Sequence, residues 1–173
     1  MAGENVMGAD NQQERIRPGW VVGFVDGEGT FSVTIQRNRE MSLGWQVFPE
    51  FVVTQGEKNL EALEEIKDFF GCGQIYRNRR YDNHKEDIFR YCVRRISDFE
   101  KKIVPFFKKN QLKTSKTEDF KKFAQVLRLI KERKHLTKAG LVEIAKIAQT
   151  MNNKRPSRFL LSSETVRQTL GHE

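Results

Sequence analysis

The segment Gly19-Trp20-Val21-Val22-Gly23-Phe24-Val25 is apolar on nearly every side, and Asp26-Gly27-Glu28-Gly29 follows it directly. Pro18 stands where the first turn of a helix tolerates a missing N–H. A short helix that is apolar all round has no face to give to water, so it has to be covered. Gly19 and Gly23 lie four residues apart and share a face almost without side chains, where another backbone can approach closely. Gly27 suits a left-handed C-terminal cap. The periodicity then changes from helical to twofold. Phe31, Val33 and Ile35 alternate with Thr30, Ser32, Thr34 and Gln36, which predicts a half-buried strand over 30–36. A covered helix therefore delivers Glu28 to the mouth of a strand whose other face is polar.

The rest of the chain repeats the alternation of strands and helices. Trp45 to Thr54 reads as a second strand, with Pro49 marking a bulge or an edge. Thr54 and Glu57 form a capping box for a helix carrying Leu60, Leu63, Ile66 and Phe69, which Gly71 and Gly73 stop. Residues 74–80 and 87–93 read as another strand pair around the loop 81–86. Ser97 and Glu100 form a second capping box, for a helix through Ile103 that Pro105 closes. Phe120, Phe123, Leu127 and Ile130 make one stripe of a helix over 117–131. Thr137 caps a helix carrying Leu141, Ile144, Ala148 and Met151. A basic link over 152–158 and a short helix over 163–170 follow. Residues 1–14 are polar and aperiodic and read as a loose leader. The pattern predicts an α+β domain over 15–173, with the helices of 137–173 appended. Its two hairpins make one four-stranded antiparallel sheet with helices on one face.

Charge narrows the partner. Lys and Arg number 31 against 23 Asp and Glu, and the whole excess lies between Gly71 and Lys116. A basic excess confined to one stretch points to a polyanion. No apolar run approaches the ~18 residues of a membrane span. The first 14 residues carry neither a secretory nor a transit pattern. Cys72 and Cys92 form no CxxC pair, so a disulfide framework and a zinc finger are both excluded and a reducing compartment is expected.

The stretch Val21-Val22-Gly23-Phe24-Val25-Asp26-Gly27-Glu28-Gly29 resembles the signature of the LAGLIDADG homing endonucleases, and Thr30 and Phe31 continue it. Phe51-Val52-Val53-Thr54-Gln55 is similar to the end of that family's second strand. Ile103-Val104-Pro105-Phe106-Phe107 and Leu112-Lys113-Thr114-Ser115-Lys116, with Asp119-Phe120, are similar to its basic loop and next helix. His135 to Leu141, continuing to Met151-Asn152, resembles a stretch of fungal organellar members. Together these cover about residues 15–152 in the expected order. The resemblance implies an αββαββα fold with the sheet curved into a saddle. It implies a sequence-specific double-strand DNA endonuclease, intron-encoded, organellar and acting on an intronless allele. An RNA-splicing maturase, or a DNA-binding relative without cleavage, is the other outcome it allows.

The residues support that implication chemically. A carboxylate such as Glu28 at the edge of a basic sheet needs a positive partner. A divalent ion between Glu28 and a DNA phosphate satisfies both anions, and the Gly27 carbonyl adds an oxygen that suits Mg²⁺. Mn²⁺ is expected to substitute, and Ca²⁺ to bind without supporting cleavage. An EF-hand is excluded, because Arg37 stands where a calcium loop starting at Asp26 needs Glu. The histidines, scattered at 84, 135 and 172, build no HNH-type metal site. By resemblance, Gln55 bonds metal-bound water and Lys116 offsets charge on the phosphate. Lys113 competes with Lys116 for that role, and Asp26 is a secondary, mostly structural site residue. One motif supplies one carboxylate and cuts one strand, so a homodimer is implied, paired through Gly19, Trp20, Val22 and Gly23.

A two-stranded ribbon fits the major groove. The expected readers are Ser32, Thr34, Gln36 and Asn38 on the first strand, and Gln46 and Glu50 on the second. Gln74, Tyr76 and Asn78 serve on the third, or Arg77, Arg79 and Arg80 if that register slips by one. Arg90 is the reader on the fourth. Lys108, Lys109, Lys113, Lys154 and Arg155 are expected on phosphates.

Overall fold

The computed structural model describes residues 16–79 and 87–152. The expected leader 1–14, the loop 81–86, Arg80, Lys154, Arg155 and the helix over 163–170 lie outside the described residues. In chain order the elements are α1 (Pro18–Glu28), β1 (Gly29–Arg37), β2 (Trp45–Gly56), a 3₁₀ turn (Glu57–Asn59), α2 (Leu60–Phe70), β3 (Gln74–Asn78) and β4 (Ile88–Val93). A helical stretch follows, made of α3 (Ile96–Asp98), a π-helical turn (Phe99–Ile103) and α4 (Val104–Lys109). Then come α5 (Lys116–Lys131), a 3₁₀ turn (Lys134–Leu136) and α6 (Lys138–Gln149). The four strands form one antiparallel sheet in the order β1-β2-β4-β3. This is the α+β architecture that the periodicity predicts. None of the helices in the described residues is long and apolar enough to cross a membrane.

One face of the sheet is the floor of the core. Phe31, Val33 and Ile35 of β1, Phe51 and Val53 of β2, and Tyr91 and Val93 of β4 all point into it. Phe31 is the hub. Its ring stacks on Phe51 at 4.8 Å between centroids and meets Phe107 edge-on at 5.4 Å and Phe120 at 5.3 Å. Strands, helical stretch and α5 are thereby joined through one ring. Offset and edge-to-face pairs of this kind add to the burial of the rings themselves. Asn152 then ties the described C-terminal end to the hub, its Nδ2 donating to the Phe31 carbonyl at 2.6 Å.

Several local expectations give way to tertiary structure. Thr54 does not cap a helix: β2 continues to Gly56, with Thr54 opposite Arg90 and Gln55 opposite Phe89. The extended ladder removes Thr54 from the capping position, and α2 starts after the 3₁₀ turn without a side-chain cap. Ser97 and Glu100 make no capping box, and Pro105 does not end the helix. The π-helical turn before it widens the spiral, which leaves room for the proline ring against the preceding carbonyls. Pro49 causes no bulge. It pairs with Val33 of β1, while pairing with β4 begins only at Phe51, so the missing N–H falls where β2 has one neighbour. Gly27 is not a left-handed cap either, because α1 runs on through Glu28. Gly29 leaves the helix in extended conformation, and a Cβ there would stand 2.6 Å from Val25 Cγ1. Thr137 does cap α6, its Oγ1 accepting from Gly140 N at 3.1 Å.

Phe31→Ala should cost about 3–5 kcal/mol, the range for truncating a buried aromatic. Urea unfolding will show it as a lower midpoint at an unchanged slope.

Candidate active site

The C-terminal end of α1 is held by a clasp from the far side of the sequence. The Lys116 ammonium donates to the carbonyls of Asp26 at 2.7 Å and Gly27 at 2.9 Å. The Asp26 carboxylate accepts from Lys113 N at 2.7 Å, Thr114 N at 3.1 Å and Thr114 Oγ1 at 2.8 Å. The segment before α5 is thus strapped to α1, and the strap sets where Lys116 starts its helix. A helix C-terminus concentrates partial negative charge on its last carbonyls, so a cation is favoured there. Burial pushes the Asp26 carboxyl up. The N–H groups of Lys113 and Thr114, the Thr114 hydroxyl and the Lys116 charge outweigh it and hold the group below its ordinary value.

Glu28 is exposed at the end of the same helix and makes no hydrogen bond or ion pair among the described residues. Asp26, Gly27, Glu28 and Lys116 are therefore brought together. Lys113 contributes its main-chain N–H while its side chain stays exposed, so of the two lysines only Lys116 delivers its ammonium to this corner. Gln55 stands at the end of the neighbouring strand, two residues past Val53, the partner of Gly29. Its Oε1 accepts from Asn59 Nδ2 at 2.9 Å, which fixes the amide with its own N–H donors unspent. No cluster of three or more His, Cys, Asp or Glu side chains occurs among the described residues. The donor set at this corner is one carboxylate and main-chain carbonyls, all oxygen. Hard oxygens at a negative helix end suit Mg²⁺ or Ca²⁺, and the seated ammonium shows that the carbonyls attract a cation.

The other flank of α1 is open. A Cβ added at Gly19, Gly23 or Gly27 would meet nothing within 4 Å. Trp20 is 42% exposed and stacks on Phe24 at 4.7 Å. Its own subunit buries Val21, Val22 and Val25 and partly covers Phe24. Val22, one of the expected pairing residues, is 9% exposed and packs into the subunit's own core, while Phe24 is partly buried and stacks on Trp20.

The sheet displays a polar face opposite the core. Register places Ser32, Thr34 and Gln36 with Gln46 and Glu50, and places Arg90 opposite Tyr76, with Gln74 and Asn78 beside it. Asn38 follows β1 and donates from Nδ2 to Gln46 Oε1 at 2.9 Å. The register of β3 does not slip. Arg77 lies opposite Phe89 on the other face and pairs with Asp87, and Arg79 lies past the end of the strand. Lys108 and Lys109 are exposed at the end of α4, which packs beneath the sheet and not on the polar face. Glu50 is not an unpartnered acceptor, because Arg90 and Arg94 both bond it. Arg94, absent from the expected readers, follows from continuing the alternation of Arg90 and Cys92 one step past β4.

The model of the LAGLIDADG endonuclease family matches residues 21–127. The chain is 34% identical over 146 residues to probable intron-encoded endonuclease 3 of Neurospora crassa, covering 82% of this chain and 26% of that protein. It spans about a quarter of the length of the first curated relatives it matches. Homing endonuclease I-ApeII of Aeropyrum pernix is 35% identical over 57 residues, 33% of each chain. Among solved structures, the homing endonuclease I-TnaI superposes with a TM-score of 0.77 at 40% identity, covering 88% of this chain and 97% of that one. I-SmaMI bound to uncleaved DNA with calcium ions gives 0.74 at 34% identity, covering 91% of this chain and 49% of that one. With one family matching from the buried face of α1 through β1 to β4 and into α5, the chain belongs to the LAGLIDADG endonucleases.

Proposed function

We propose that this protein is a site-specific double-strand DNA endonuclease of the intron-homing kind, working as a homodimer on a long pseudo-palindromic site. The observation that carries this reading is the end of α1, where an unpartnered Glu28 carboxylate adjoins two carbonyls that already hold a cation. Its reaction is phosphodiester hydrolysis with a divalent ion, Mg²⁺ in the first instance, with Mn²⁺ replacing it and Ca²⁺ binding without turnover. Glu28 and the Gly27 carbonyl would hold that ion. When bound, it would activate water and neutralise charge on the leaving oxygen. Lys116 places a positive charge where a scissile phosphate needs it. Gln55, its amide oriented by Asn59, offers N–H donors to a water at the strand end. Asp26 positions Lys116 by holding the strap and touches no reacting atom.

Pairing through α1 is supported by the open glycine face and by the exposed Trp20 ring, which stacks on the partly buried Phe24. It is also supported by coverage, since this fold fills nearly all of I-TnaI but about half of I-SmaMI. A unit that is whole in one chain and half of another fits a protein that acts in pairs. Two copies of Glu28 would then serve the two strands of one duplex. Relatives carry names that place them in cox1 and ND4 introns, which fits an organellar origin.

Glu28→Gln should bind duplex DNA yet cut it about two to four orders of magnitude more slowly with Mg²⁺, several kcal/mol of transition-state stabilisation being lost. Plasmid linearisation measures this. Unchanged cutting removes Glu28 from the mechanism, and retarded RNA beside uncut DNA replaces the nuclease with a maturase.

Gly23→Glu should leave the fold intact, since the position is open, and should convert dimers to monomers in sedimentation velocity. An unchanged dimer would place the pairing surface elsewhere.

Asp26 contributes stability above the ordinary Asp value of about 3.8, because its folded carboxyl titrates below that value. This contribution is lost as pH falls through the folded value. Asp26→Asn should therefore be less stable near neutrality and should show a flatter acid limb in urea midpoints measured against pH.

A further inference from the structure

We infer that Arg94 is a guanine-reading residue of the polar sheet face, and that Glu50 is the positioning residue that aims it. The inference rests on the endonuclease reading and concerns how its target is recognised. Phe51 pairs with Val93, so Glu50 and Arg94 face each other at the next step outward, immediately beyond the last ladder pair. Glu50 Oε1 accepts from Arg94 Nε at 2.6 Å, and Oε2 accepts from Arg90 Nη2 at 3.3 Å. Each oxygen of the carboxylate thus holds one arginine, and Glu50 is spent on the protein instead of on a base.

The Arg94 guanidinium is fixed by more than that bond. Its Cζ lies 5.0 Å from the centroid of Tyr76 and 5.7 Å from that of Phe48. These rings come from β3 and β2, so the guanidinium has an aromatic neighbour on each side of β4. Among the described residues it is bonded through Nε alone. Both terminal nitrogens lack a partner among the described residues, the side chain is 39% exposed, and a cavity of about 580 Å³ opens beside it. A planar fork with its stem bonded and its two outer nitrogens unspent matches the paired O6 and N7 acceptors of guanine in the major groove. Holding the fork before DNA arrives removes part of the ordering cost of the contact.

Arg90 has a different place in the cluster. Its reach to Glu50 runs along the sheet past Cys92 and Val52, which share the polar face yet are buried. The arginine stem roofs two apolar side chains that would otherwise meet the groove. Arg90 therefore supports Glu50 from one side while Arg94 projects from the other.

The test is selection of bound sites from a randomised duplex library in Ca²⁺, for the wild type, Arg94→Ala, Arg94→Lys and Glu50→Gln, with thermal melting to confirm folding. The wild type should enrich one guanine in each half-site roughly ten- to hundredfold over other bases, the discrimination of a bidentate contact. Arg94→Ala and Arg94→Lys should lose the preference there and keep it elsewhere. Glu50→Gln should weaken the preference at that same position and leave the salt slope of binding unchanged. Three results overturn the inference alone. These are a guanine that survives Arg94→Ala, a Glu50→Gln effect at a position that Arg94→Ala leaves intact, or an Arg94→Ala effect confined to flattening the salt slope by about 0.9, the mark of a phosphate contact. A wild-type library with no enriched site overturns the endonuclease reading with it.

Discussion

Lys116 and Asp26 are about ninety residues apart, and the candidate site exists only because they meet. The ammonium satisfies two carbonyls that a helix end leaves without intrahelical donors. The Asp26 carboxylate returns the connection by taking two N–H groups and a hydroxyl from the strap. Neither half would be well placed alone. A lysine over exposed carbonyls in water gains little, and a carboxylate at a helix C-terminus is opposed by the dipole. Together they exchange charges in the favourable sense: the cation sits on the negative helix end, and the anion sits on the donors of the incoming segment. Glu28, two residues onward, is left without a balancing charge among the described residues.

The aromatic core lets the sheet divide its labour. Phe31 gathers Phe51, Phe107 and Phe120 on one face, so the other face has no packing duty and can carry Ser, Thr, Gln, Asn and Arg. Val52 and Cys92 are buried on that face all the same, and the Arg90–Glu50–Arg94 bridge lies along them. The basic excess between Gly71 and Lys116 is likewise divided. Arg90 and Arg94 belong to the polar face, whereas Lys108 and Lys109 belong to the helical layer, and Lys102 is used within the fold to bond the Gly71 carbonyl.

What could be read in advance depended on how local its cause was. The strand over 30–36 was legible because one half-buried ribbon writes its own alternation, and the α5 stripe was legible for the same reason at helical period. The acidic end of α1 could be read together with its family resemblance. Thr54 departs from the capping position because capping chemistry is local while the ladder to Arg90 that overrides it is not. Pro105 continues a helix because of the preceding π-helical turn, which leaves no mark in composition. Choosing between Lys113 and Lys116 required the fold, since either spacing from Leu112 is plausible until the strap is drawn. Arg94 lay one residue past a strand whose end the sequence could not signal.

Gly29 carries a mechanical consequence. Its N–H still bonds the Val25 carbonyl while its own residue already pairs with Val53, so no loop intervenes between α1 and β1. Helix and strand are joined directly, and Val25 packs so closely on the joint that any side chain there would collide with it. In the proposed dimer, a change in tilt between the two central helices would swing the outer ends of both β1 strands along the groove. The spacing between the two halves of a target would then be gauged by the angle at which two copies meet, and substitutions that relax that angle should broaden the range of spacings tolerated.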